Sequence, residues 1–253
     1  MPDPKRLRVY YEGDDDRNVL EGLERADLLP SNCEIAKRDK TRPGQEGMIQ
    51  DLIPFVRPDD GVGGSAIALI DLDDRKIQDM GPWVQGRLQK YLLPNTAITV
   101  ATQNPRVSIF RVAGTKRASQ VAFVAVGLPE DSRLRQEHGV VRFAVDDYLL
   151  NLVRAPDVYS SVSELEGVSF EKAMSKLHAM TGMLRSNEIP VEHSKRLLHL
   201  LRAITNFRPS SAEFVRRLLE KALDTLGSDG IREIFQPLIE DIQESARTLL
   251  GSR

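Results

Sequence analysis

The sequence has a single cysteine, Cys33, and a single tryptophan, Trp83. One thiol can form no internal disulfide and supplies no cysteine-rich zinc centre, which suits a reducing compartment. Long apolar runs are also missing. Nothing approaches the length of a membrane span, and Met1-Pro2-Asp3-Pro4-Lys5-Arg6 opens no apolar stretch of signal-peptide length. A soluble, cytoplasmic protein with no membrane contact is expected. Charge of one sign is lacking too, since 35 Lys and Arg against 37 Asp and Glu leave a net charge of −2. No global field draws such a chain to nucleic acid or anionic lipid, so any contact of that kind must come from a local patch. There is no internal repeat, low-complexity tract or Walker-type phosphate loop.

What is present is an ordinary globular composition: 253 residues, 41% of them hydrophobic, enough for one large domain or two small ones. Strand-like and helix-like patterns alternate through the first part, as in an α/β domain with a largely parallel sheet flanked by helices. Residues 7–11 read as a strand. From Asp15 to Ala26 the apolar positions Val19, Leu20, Leu23 and Ala26 recur at helical spacing, with Pro30 just beyond. Residues 33–36 suggest a second strand and 37–45 a basic loop; Met48, Ile49, Leu52 and Ile53 suggest a helix interrupted by Pro54. Residues 65–70 form a nearly continuous apolar run, typical of a strand covered on both faces, which ends abruptly in Asp71-Leu72-Asp73-Asp74. Further strands are expected at 97–102, 107–112 and 120–126, with a helix over 83–93.

From Pro156 the pattern is helical only. One apolar stripe runs through Phe170, Met174, Leu177 and Met180, and another through Leu197, Leu201 and Ile204. A third runs through Phe214, Leu218, Ala222 and Leu226, after the capping signal Ser210-Ser211-Ala212-Glu213 and before Gly227 as a stop. A fourth takes Ile231, Phe235, Leu238, Ile242 and Leu249. The expected organisation is an α/β domain over residues 1–155 and a helical domain over 156–253.

In open α/β sheets ligands gather outside the carboxyl ends of the strands. Both acidic clusters fall there: Glu12-Gly13-Asp14-Asp15-Asp16 after the first strand, and Asp71-Leu72-Asp73-Asp74 after the third. Carboxylates crowded without a cation raise one another's pKa, whereas a hard divalent ion such as Mg²⁺ makes the crowding favourable. A plainer explanation covers part of this. Acids at a helix start are favoured by the backbone N–H groups and the dipole, which accounts for Asp15 and serves Asp16 as well, but Glu12 gains nothing from capping. Asp71-x-Asp73 also fits a solvated loop, a nucleotide-sugar transferase or a phosphoaspartyl phosphatase. The phosphatase, however, places its nucleophile after the first strand, where this chain has Glu12.

Glu12-Gly13-x-x-Asp16 after one strand and Asp71-x-Asp73 after a later apolar strand resemble the Toprim pattern, over roughly residues 6–130. That family includes topoisomerases, bacterial primases, small ribonucleases, recombination proteins and nucleases of the overcoming-lysogenization-defect type. The resemblance implies a Toprim-like fold in which Glu12, Asp71 and Asp73 are catalytic. It further implies that these three, with Asp16, hold Mg²⁺ or Mn²⁺ for making or breaking phosphodiester bonds. Residues 141–150 are similar to an acidic-aromatic-leucine segment of standalone Toprim-like proteins associated with phage defence. That makes Asp146 a further metal candidate, which would complete a second metal position; Asp146 or Asp147 capping a helix from Tyr148 is the plainer alternative. Many relatives carry a lysine directly after the Glu-Gly pair, where this chain has Asp14.

Basic residues suited to phosphate lie in two loops, with Lys37, Arg38, Lys40 and Arg42 in one and Lys116 and Arg117 in the other. Arg75 and Lys76 follow the acidic pair and either stabilise developing negative charge or balance Asp73 and Asp74. Lys37, Arg38, Arg75, Lys116 and Arg117 are the phosphate-binding candidates. The leading expectation is a metal-dependent nuclease acting on DNA or RNA, with Glu12 as metal ligand or general base. A non-catalytic or partner-activated Toprim-like effector is one alternative, and a small-molecule phosphohydrolase another. The near-balanced charge of the helical part favours a protein partner or self-association over a nucleic-acid clamp. No tyrosine is placed for covalent topoisomerase chemistry, the four histidines show no metal-ligand spacing, and Trp83 reads as a packing anchor.

Overall fold

The computed structural model describes residues 6–39, 41–58, 62–72, 75–115, 117–138, 144–163, 168–189, 191, 194–205 and 211–251. The chain divides into two compact units, one of Met1–Arg17, Leu29–Val126 and Leu238–Arg253, the other of Asn18–Leu28 and Gly127–Pro237. The expected boundary after residue 155 is therefore not where the units part. The helices that follow the sheet directly, from Gly127 onward, group with the later helices.

The first unit is built on a six-stranded sheet of β1 (Leu7–Tyr10), β2 (Cys33–Ile35), β3 (Ala66–Asp71), β4 (Ala97–Gln103), β5 (Val107–Ala113) and β6 (Ala118–Val126). Its order is β2-β1-β3-β6-β5-β4. The four strands from β2 to β6 run parallel, and β5 and β4 complete the sheet as an antiparallel meander. Burial explains the arrangement. Ala66 to Ile70 of β3 and Val121 to Val126 of β6 are almost wholly enclosed, as strands covered on both faces must be. Helix α1 (Asp14–Arg25) connects β1 to β2, and α2 (Gly44–Val56) connects β2 to β3. A 3₁₀ turn (Ile77–Asp79) leads into α3 (Met80–Tyr91), which packs on β4 and β5, while α2 packs on β3 and β6.

Helix α2 starts earlier than apolar periodicity suggests, because Pro43 in extended geometry precedes it as N-cap. Pro54 does not interrupt it. The residue lies two before the end, where the one hydrogen bond it forgoes costs the least continuity.

After the sheet, α4 (Arg133–His138), α5 (Asp146–Val153), α6 (Pro156–Ser163), α7 (Phe170–Ser186) and α8 (Ser194–Thr205) precede α9 (Ser211–Gly251), which belongs to the second unit through Pro237 and to the first from Leu238. Gly227 breaks the long last helix with φ 65° and ψ −175°, a conformation open essentially to glycine alone, so the expected stop is a kink. Tyr148 stacks on Phe235 at 5.1 Å between ring centroids, and both are fully buried; burying such a ring is worth about 1.5–3 kcal/mol. Helix α7 buries Ala173, Leu177 and Thr181. The expected stripe through Phe170, Met174 and Met180 is displaced round the helix, since those larger side chains are partly exposed. Among the described residues no helix is long and apolar enough to cross a membrane.

Candidate functional site

From β1 the chain crosses to β2 on one side and later returns to β3 on the other. The carboxyl ends of β1 and β3 thus flank a topological switch point, the place where open α/β sheets hold ligands. Tyr10 is level with Ala68 across these strands. Glu12 comes two residues after Tyr10 and Asp71 three after Ala68, so the acids leave neighbouring strands at nearly the same height, with strands about 4.8 Å apart. Strand β3 is buried through Ile70 and half-exposed at Asp71. Glu12 is half-buried with its Oε2 enclosed.

Two side chains brace the main chain at these acids. Arg38 donates through Nη1 to the Glu12 carbonyl, through Nε to Asp51 at 3.4 Å, and through Nη2 to the Arg42 carbonyl at 2.5 Å. The Arg38 and Asp51 side chains are 8% and 9% exposed. The guanidinium proposed from sequence for phosphate is thus engaged in fastening the loop before α2. Gln45, in the first turn of α2, donates through Nε2 to the Asp71 carbonyl at 2.6 Å and accepts at Oε1 from Arg75 Nη1 at 3.0 Å. Arg75 in turn lies 4.1 Å over the Trp83 ring.

The start of α2 is itself held firmly. A Cβ at Gly47 would stand 1.9 Å from the Arg42 carbonyl oxygen, so only glycine allows that approach. Glu46 accepts from Lys90 at 2.5 Å, from the Tyr91 hydroxyl, and pairs with Arg87 at 3.0 Å, tying α2 to α3. The Lys90 and Tyr91 hydrogen bonds hold its carboxyl below the usual range.

The remaining candidates are dispersed. Asp16 is 5% exposed and accepts from the Gly13 N–H at 2.8 Å; the Gly13 carbonyl in turn accepts from Arg17 N–H, so Asp16 closes back on the first turn of α1 as an acid there commonly does. Asp146 lies in the first turn of α5, in the second unit. Its neighbour Asp147 does not cap that helix, whose N-cap is Val145; it accepts instead from Leu128 N–H at 3.0 Å, Arg135 at 3.1 Å and the Ser194 hydroxyl. Lys37 is exposed. Arg117 sits in the β5–β6 turn at the amino end of β6. That is the opposite edge of the sheet from Asp71, which pairs with Val126 at the other end of β6, about 30 Å away along the strand. Asp73 and Lys116 lie outside the described residues. Among the described residues no three His, Cys, Asp or Glu side chains group as a metal site; of the described candidates, Glu12 and Asp71 are the two at the carboxyl ends of the adjacent strands β1 and β3.

Gln45 escaped the sequence reading because a neutral amide at a helix start carries no chemical signature; the Pro43-Gly44 pair, a helix-start signal, was the available clue. Elsewhere, the second unit has an open cavity of about 450 Å³ lined by Arg133, Asn151, Arg154 and Glu233 among others, and none of the candidates lines it.

No protein-family model and no curated protein matches the chain. A crystal structure of a hypothetical protein from Pyrococcus horikoshii OT3 is similar, with a TM-score of 0.48 and 11% identity, over 94% of this chain and 99% of that one.

Proposed function

We propose that the sheet unit is a Toprim-like domain that binds Mg²⁺ or Mn²⁺ between the carboxyl ends of β1 and β3 and hydrolyses phosphodiester bonds of DNA or RNA. The observation that supports it is the position of Glu12 and Asp71 at the ends of adjacent parallel strands, on the switch point of the sheet. The donor chemistry suits a hard divalent cation, which takes carboxylate oxygens together with substrate phosphate and water. Glu12, Asp71 and Asp73 would hold it, with Asp16 as a further ligand. When bound, the ion supplies charge stabilisation at the phosphate and lowers the pKa of a water. The protein's own part is placement. Gln45 fixes the main chain at Asp71 and Arg38 fixes it at Glu12; Glu12 would act as general base if it does not itself bind the metal.

The test is cleavage of single- and double-stranded DNA and RNA with Mg²⁺ or Mn²⁺, comparing the native chain with Glu12→Gln and Asp71→Asn. Cleavage that requires metal and falls about a hundredfold or more in both variants is expected. Native rates in both variants, or no cleavage with any substrate and metal, would remove the nuclease reading.

A further inference from the structure

Beside the acidic strand ends stands a guanidinium fixed on three sides. Arg75 donates through Nη1 to Gln45 Oε1 at 3.0 Å and to the Leu72 carbonyl at 3.4 Å, and its Cζ lies 4.1 Å over the Trp83 ring. Other guanidinium groups of the sheet unit are spent on acids: Arg38 on Asp51, Arg87 on Glu46, and Arg106 on Asp241 at 2.7 Å. Among the described residues Arg75 pairs with no carboxylate, and its Nε and Nη2 make no hydrogen bond. The Gln45 that holds it also holds the Asp71 carbonyl, so one amide links this cation to the end of β3.

We propose that Arg75 is the phosphate anchor of this crevice, positioned by Gln45 and Trp83 to take a phosphodiester through Nε and Nη2. The proposal rests on the crevice being the substrate site. A planar guanidinium matches two phosphate oxygens at once, which an ammonium group cannot do. The Trp83 contact and the Gln45 bond hold the group beforehand, so little side-chain freedom is lost on binding. The ligand class is a phosphate ester carrying a negative charge, and Arg75 meets that charge beside the carboxylates that would hold the metal.

Trp83 is the single tryptophan, so its emission reports directly on Arg75. The experiment titrates a thymidine dinucleotide into the full chain with Mg²⁺ at constant ionic strength, and, as a control, the same dinucleotide with a neutral methylphosphonate linkage. A saturable change with the phosphodiester alone is expected, weakened about tenfold or more in Arg75→Ala. Arg75→Lys keeps a charge but loses the fork; it also weakens binding and carries the test where Arg75→Ala does not fold. Gln45→Ala weakens binding in the same direction, and Gln45→Glu, which keeps an acceptor for Arg75, recovers part of it. Equal affinity in the native chain and both Arg75 variants, equal response to the neutral analogue, or no saturable change would overturn the anchor. Absence of Mn²⁺ binding in the native chain would count against the metal reading instead, so the two failures are told apart.

Discussion

Asp147 in the helical unit and Asp71 in the sheet unit stand at different kinds of place, one in the first turn of a helix and the other at the end of a buried strand. Asp147 is fully buried, and its carboxylate takes the Leu128 N–H, Arg135 and the Ser194 hydroxyl. Burial pushes its carboxyl up, against the downward pull of Ser194 and Arg135. Asp71 is half-exposed, and what Gln45 grips is its main-chain carbonyl. An acid whose oxygens end on the protein's own donors joins parts of the fold. An acid at the end of a parallel strand on a switch point stands where open α/β sheets hold ligands.

The largest effect expected follows from the first kind of acid. Asp147→Ala removes the carboxylate shared by Leu128, Arg135 and Ser194, and a loss of about 3–5 kcal/mol is predicted in urea unfolding. The fraction that stays folded should bind Mn²⁺ as the native chain does. A loss under 1 kcal/mol would dissolve the contrast between the two acids.

Gly47→Ala sharpens the other side. Its Cβ would press on the Arg42 carbonyl, so the first turn of α2 must shift and take Gln45 with it. Overpacking of this kind costs about 1–3 kcal/mol, measurable as a lower unfolding midpoint, and here it should also weaken dinucleotide binding. A stability loss with unchanged binding would uncouple α2 from the crevice.

Cys33, on the edge strand β2, gives a pH signature. Burial pushes its thiol up to about 12 from an ordinary 9.0. The folded chain therefore keeps a proton that the unfolded chain releases, so stability is untouched below pH 9 and falls as pH rises toward 12. A Cys33→Ala variant should lose that alkaline slope in pH-dependent unfolding; an identical slope would place its origin elsewhere. The smallest effect belongs to Met183, 66% exposed on α7. Met183→Ser should move stability by no more than about 0.5 kcal/mol, and a larger loss would show that the face is covered in solution.

Much of the sheet was legible because its signals are local. The unbroken apolar run before Asp71 marks β3 and its end together, and the abrupt change from Leu7–Tyr10 to acids marks β1. What escaped depends on distant partners. Asp147 reads as a helix cap until Ser194, many residues later, closes on it. Gln45 has no meaning in sequence until α2 brings it under β3, and Trp83 reads as plain packing until Arg75 lies across it. Apolar spacing on α7 marks Leu177 rightly, but the small Ala173 and the hydroxyl-bearing Thr181 share its buried face in place of Met174 and Met180, which spacing of large apolar residues alone does not show.

The central claim is that Glu12 and Asp71 form a divalent-cation site, and Mn²⁺ binding followed by electron paramagnetic resonance tests it most directly. The account predicts saturable binding in the native chain, lost in Glu12→Gln and Asp71→Asn and kept in Arg75→Ala. Binding unchanged in both acid variants, or none in the native chain, would contradict it.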